Sequence, residues 1–198
     1  MPLPIVFRAG GDAVATYDWI DFARKVGYVR FNAFASSLTA GTTHVLTTQD
    51  DITSWPYDTA MNLDLDFDIT FTQPTVVGIA DAIAKIAYQL NSDGHTINCT
   101  TKLYHVSTAP AETQICTGTL AQEAGLGSAG VNTWHYRNVQ MPITTEKWFK
   151  PDEKLRFNVV MTTAGGGGAA KLMHDPANIA ARTNGMLTSI DVPFKILS

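Results

Sequence analysis

Between residues 62 and 71, apolar and polar side chains alternate without a break. Leu63, Leu65, Phe67, Ile69 and Phe71 fall between Asn62, Asp64, Asp66, Asp68 and Thr70. A period of two puts the two sets on opposite faces of a pleated strand, one buried and one wet, whereas a helix would scatter the apolar set around its axis. The same pattern in Leu155, Phe157 and Val159 predicts a strand over 153–162. Tyr28, Phe31 and Phe34 mark an earlier strand that ends near Ser36, and residues 44–48 form a Thr-rich second run. Residues 76–90 fit two readings. Ala82, Ile83, Ala84, Ile86 and Ala87 suit a helical turn, but the β-branched Val76, Val77, Ile79 and Ile83 favour one long strand.

Further along, 96–106 and 112–120 read as a hairpin with Pro110 in its turn. Residues 121–130 are a Gly- and Ala-rich loop, 134–143 a strand, and 144–148 a short helical turn or connector. Gly165 to Gly168 form a flexible tip between strands, 169–174 a short strand, and 190–197 the closing strand. Nine or ten short strands at regular spacing predict an all-β fold, an antiparallel two-sheet sandwich of jelly-roll type. One short helix is expected over 17–25, with Asp18 as N-cap and Gly27 as its stop. Ahead of it, 1–16 form an irregular arm broken by Pro2, Pro4, Gly10 and Gly11. Leu3, Ile5, Val6 and Phe7 cannot be buried within such an arm, so they are the candidate interface residues. The expected organisation is thus an arm, 1–16, and one β-sandwich domain, 17–198, with no internal repeat.

Composition sharpens this picture. Charged residues make up 16% of the chain, against about 25% in an ordinary soluble domain, and hydrophobic residues 45%. A surface partly covered by neighbours fits these values, as does a free surface rich in Thr and Asn. Net charge is -4, with no basic run, so nucleic acid is not an expected partner. No apolar stretch reaches the roughly 18–20 residues of a membrane-spanning helix. The start, Met1-Pro-Leu-Pro-Ile-Val-Phe-Arg8, lacks a basic region followed by an apolar one, which predicts synthesis and assembly in a cytoplasm. If the hairpin turn covers 107–111, Cys116 lies opposite a residue near Leu103 and out of reach of Cys99, which predicts two buried free thiols. The sequon Asn98-Cys99-Thr100 then sits inside a strand and is silent.

Few residues suggest chemistry. Gly125-Leu-Gly-Ser-Ala-Gly130 has dinucleotide-loop spacing, but a strand pattern follows it where a helix would be needed. Asp64, Asp66 and Asp68 share one strand face. They can be read as a row for a hard cation such as calcium, or, preferably, as a solvated face that discourages edge-to-edge pairing. His44, His95, His105, His135 and His174 show no metal-ligand spacing. Strand residues distant in sequence can still converge on a metal, as in cupin-like jelly rolls. No Ser lies in a G-x-S-x-G turn. Trp19, Trp55, Trp134 and Trp148 can serve as sugar platforms, though aromatics more often anchor cores or interfaces.

The segment Trp148-Phe149-Lys150-Pro151-Asp152-Glu153-Lys154-Leu155-Arg156-Phe157 resembles the F-K-x-G-[DE]-K-L-R stretch of β-sandwich virion proteins from tailed bacteriophages and uncultured marine viruses. His174-Asp175-Pro176 is similar to their L-Y-H-D-P stretch, with Met173 in place of the tyrosine. Lys102-Leu103-Tyr104-His105-Val106 and Gly27-Tyr28-Val29-Arg30-Phe31 are similar as well. Pro151 stands where glycine is usual, and a Pro-Asp turn does the same geometric job. The resemblance implies a non-enzymatic structural subunit of a virus particle: a capsid-decorating, head-tail or tail-associated protein with no catalytic residues and no cofactor. Such a protein is made in the host cytoplasm and works by contact with capsid or tail subunits and with copies of itself as a homo-oligomer. The alternative is a carbohydrate- or receptor-binding module, with Trp55 and Tyr57 as the platform.

Overall fold

The computed structural model of the protein describes residues 26–35, 43–52, 57–90, 96–123, 134–164, 169–175 and 187–195. Thirteen strands cover most of them: β1 (Val26–Ala35), β2 (His44–Thr47), β3 (Tyr57–Ala60), β4 (Asn62–Thr70), β5 (Thr75–Val77), β6 (Asp81–Leu90), β7 (Thr96–Val106), β8 (Glu112–Glu123), β9 (Trp134–Pro142), β10 (Lys147–Phe149), β11 (Lys154–Ala164), β12 (Ala170–Met173) and β13 (Ser189–Lys195). Among the described residues there is no helix. The expected all-β class is therefore found. The expected helix at 17–25 and the arm at 1–16 lie outside the described residues, as do the Gly-rich segments 124–130 and 165–168.

All strands belong to one hydrogen-bonded path in the order β3-β12-β6-β13-β1-β2-β4-β11-β7-β8, with β9 on β6 and β5 between β10 and β13. Every pairing is antiparallel except β2 with β4, which meet as a parallel pair at Val45 and Asp68. This departs from the two separate sheets of a jelly-roll sandwich. The short β2 keeps the ladder continuous between β1 and β4, so one open sheet runs throughout. The path folds back and brings β8 against β9 without pairing them. A Cβ on Gly118 of β8 would sit 2.6 Å from the Gln140 carbonyl oxygen and 2.7 Å from Val139 Cγ1.

Alternating side chains explain where the core lies. In β4, Leu63 and Phe67 are buried while Asp64 and Asp66 are exposed. In β11, Leu155, Phe157, Val159 and Met161 are fully buried, as are Ile86 and Tyr88 of β6 and Leu172 of β12. Burying one such side chain contributes about 1.5–3 kcal/mol. The two readings of 76–90 resolve into two strands, β5 and β6. Between them Gly78 comes so close to β1 that an added Cβ would meet Val26 Cγ2 at 2.9 Å, and its N–H donates to Pro193 O at 2.9 Å. The connector expected at 144–148 runs instead into β10, held by antiparallel pairing with β5.

The hairpin β7–β8 matches its expected form. Ser107 N donates to Ala111 O at 3.0 Å across the turn, and Cys116 lies opposite Leu103. Cys99 and Cys116 are free and buried, and burial pushes both thiols up to about 12.

Candidate metal centre

Three strand ends far apart in sequence meet at one point of the fold. β3 and β12 pair so that Asp58 lies opposite Leu172. His174 is two residues beyond Leu172, and successive side chains alternate faces, so His174 falls on the side of Asp58. The next residue, Asp175, has φ 73, a left-handed backbone that turns the chain away just after the histidine. His44 opens β2, which lies elsewhere in the strand order and reaches the cluster only because the sheet folds back.

The geometry is compact. His174 Nε2 lies 2.6 Å from Asp58 Oδ2, and His44 Nε2 lies 2.9 Å from the same oxygen. One ligand atom from each of the three residues falls within 4.8 Å of the others. The His174 side chain is 0% exposed, that of His44 15% and that of Asp58 25%. Phe67 packs against both imidazoles, with ring centroids 5.2 Å from His44 and 5.4 Å from His174. Burial pushes the Asp58 carboxyl up, but hydrogen bonds from His174 and His44 outweigh it and hold the group well below the usual carboxylate range. Asp58 is therefore an anion at neutral pH, in direct contact with two imidazole nitrogens.

In a tetrahedral site with metal–ligand bonds of about 2.05 Å, neighbouring ligand atoms stand about 3.3 Å apart. The two nitrogen–oxygen distances are somewhat shorter than this, as direct hydrogen bonds should be. Small side-chain rotations convert the cluster into a ligand set of two nitrogens and one oxygen.

The sequence-predicted residues lie elsewhere. Asp64, Asp66 and Asp68 share one face of β4, which pairs along its length to β11 on one side and meets β2 at the single pair Val45–Asp68 on the other. Protein groups already engage the row. The Arg156 guanidinium binds both oxygens of Asp68 at 2.7 and 2.8 Å and lies 3.0 Å from Asp66. The Asn158 amide donates to Asp64 at 2.7 Å and to Asp66 at 2.8 Å. Tyr57 is half-buried on β3, with Trp134 at a ring distance of 6.2 Å and the Lys171 ammonium 4.6 Å from its ring centre. Trp55 and the arm residues Leu3, Ile5, Val6 and Phe7 lie outside the described residues.

The segment that carried the family resemblance is a structural turn. Glu153 accepts hydrogen bonds from His105 Nε2 at 2.8 Å and from Lys150 N at 2.7 Å, and Asp152 (φ 67) donates its N–H to Phe71 O. Sequence spacing missed the metal-type cluster because its members are 14 and 116 residues apart. The convergence of distant strand residues was foreseen in general terms, but no local signal singles out these three.

No protein-family model and no curated protein matches the chain. Among solved structures, a CocE/NonD family hydrolase from Staphylococcus aureus aligns with TM-score 0.55 at 13% identity, covering 83% of this chain and 37% of its own. An aminopeptidase from a marine sediment Thaumarchaeota archaeon aligns with TM-score 0.57 at 9% identity, covering 83% of this chain and 36% of its own. The chain thus spans little more than a third of the length of either. These likenesses show a shared fold. They also correct the expectation of a non-enzymatic protein, because this fold is one that enzymes carry. A structure of infectious bursal disease virus aligns with TM-score 0.30 at 14% identity, over 87% of this chain and 36% of its own. That value is too low to define a shared fold.

Proposed function

We propose that this chain is a metal-binding β-domain of an enzyme, holding a divalent first-row transition metal on His44, Asp58 and His174. The observation that carries this reading is the convergence of two imidazole Nε2 atoms on one carboxylate oxygen, at 2.9 and 2.6 Å, with His174 wholly buried. Two nitrogens and one oxygen suit zinc and its neighbours in the first row better than calcium, which takes six to eight oxygens. The hydrolase likeness supports placing the domain in an enzyme, and a folded-over sheet in the manner of a jelly roll is the scaffold in this reading.

The test is direct. Chelator-stripped protein, incubated with zinc and passed through a desalting column, should retain close to one equivalent by elemental analysis. His44→Ala and Asp58→Asn should each lose it, with the far-ultraviolet circular dichroism unchanged. Retention of less than a tenth of an equivalent by the wild type sinks the proposal.

A further inference from the structure

We infer that the metal acts as a clamp on the fold. Bound, it locks β2, β3 and β12 shut over Phe67. Released, it leaves these three strands free to open together while the long ladders of the sheet stay folded. The inference rests on the metal-binding reading above and adds what the ion does to the protein.

Ladder length is the first observation. β3 pairs with β12 alone, over four residue pairs, and β12 pairs with β6 over three. β2 pairs with β1 over four and meets β4 at one. By contrast, β4 joins β11 over nine pairs, β11 joins β7 over eleven, and β6 joins β9 over nine. Proteins open in contiguous units, and strands held by few backbone hydrogen bonds open at lower cost than strands laddered at length. His44 and Asp58 lie on two of the thinly laddered strands, and His174 lies one residue beyond the third.

Connectivity is the second observation. β2 stands four places from β12 along the strand path and pairs with neither β12 nor β3. His44 meets the other two ligands through side chains, with its Nε2 on Asp58 Oδ2 and its ring centroid 5.9 Å from that of His174. An ion held by all three side chains therefore makes a tie that no backbone ladder duplicates. The third observation is what lies beneath. Phe67 is fully buried and packs against both imidazoles, and it stands on β4, one of the long-laddered strands. The two histidines thus close over a ring that is anchored in the firmly paired part of the fold.

Opening the three strands separates the ligands and releases the ion. Binding therefore lowers the open population by one plus the ratio of free metal to Kd, about a hundredfold at a hundred times Kd. The clamp needs only one ion on the three side chains at once, whatever fills its remaining positions.

Hydrogen exchange of the full chain, followed by mass spectrometry, tests this. Bound zinc and its Kd are measured on the same preparation, and exchange is compared between stripped protein, protein at a hundred times Kd of free zinc, and protein stripped again. In the stripped protein, residues 44–47, 57–60 and 170–174 should exchange at least tenfold faster than 154–164 of β11, which reports unfolding of the whole chain. Zinc should slow those three segments about a hundredfold and reversibly, and leave the hairpin turn at 107–111 unchanged. Asp58→Asn should lose the zinc response, and re-stripping of the wild type tests the same point if that variant fails to fold. Stoichiometric zinc with no slowing in the three segments overturns this inference and leaves the metal-binding reading standing. So does exchange of those segments no faster than β11 in the stripped protein, because the site then opens only with the whole fold. Absence of bound zinc overturns both.

Discussion

Asp58 is an acidic side chain whose charge is secured by two neighbours, and this has a consequence for stability. Hydrogen bonds from His174 and His44 outweigh burial and hold its carboxyl below the ordinary range. The native state then binds fewer protons than the unfolded chain in acid. Its contribution is complete above the unfolded value of about 3.9 and is lost as pH falls through the lower folded value. Metal-free wild type should therefore exceed Asp58→Asn in stability at pH 7, by about 1–3 kcal/mol for hydrogen bonds to a charged group. The gap should narrow between pH 4 and pH 2. Urea unfolding at several pH values measures it, and a gap that stays constant with pH would show that Asp58 contributes no linked stability.

At the scale of elements, the fold depends on how closely β8 and β9 approach. A Cβ at Gly118 would press on the Gln140 carbonyl oxygen, and backbone cannot swing aside as the end of a side chain can. Gly118→Ala should cost about 1–3 kcal/mol by overpacking. At Gly78 the one contact an added Cβ would make too close is the Val26 methyl, which can move, so Gly78→Ala should cost less. Urea midpoints of the two variants decide this, and equal losses would mean that the β8–β9 contact is loose. The ladders on either side of β11 are built differently. β4 and β7 pair with it over nine and eleven residue pairs without interruption, while β7 and β8 shift register twice, after Ile97 and after Leu103. The second shift falls at Leu103, beside the pair that places Cys116 opposite it.

For the whole molecule, one open sheet folded on itself explains both the core and the site. The core fills the fold between strands that are far apart along the path, and the same fold brings His44 to Asp58 and His174. Trp148, 59% exposed, and the exposed Ile79 and Met61 are the large apolar side chains left on the described surface. The self-association expected from the low charge and from Leu3, Ile5, Val6 and Phe7 is a separate proposal. A chain shortened by its first 16 residues should fold normally and form a species of fewer subunits by light scattering than the full chain. An unchanged number of subunits would remove the arm from any assembly role.

The alternation in 62–71 and 153–162 by itself determined two central strands, because a period of two has one way to bury its apolar set. The hairpin turn at 107–111 was equally local, and its length placed Cys116 opposite Leu103 and kept the thiols apart. The all-β class followed from many such short signals. Tertiary structure alone decided the rest. Residues 76–90 broke into two strands because Gly78 approaches Val26, a contact that no local pattern records. The separate sheets expected of a sandwich became one path because β2, laddered to β1 over four residues, also meets β4 at the single pair Val45–Asp68. Asp64, Asp66 and Asp68 were legible as a shared face, but their partners Arg156 and Asn158 come from a strand some ninety residues later. The candidate site was the least legible part. His44 and Asp58 lie on separate strands and His174 just beyond a third, and ligand spacing is readable in sequence only when one turn or one strand carries it. Here the folding of the sheet, which depends on all its strands at once, sets the distances among the three.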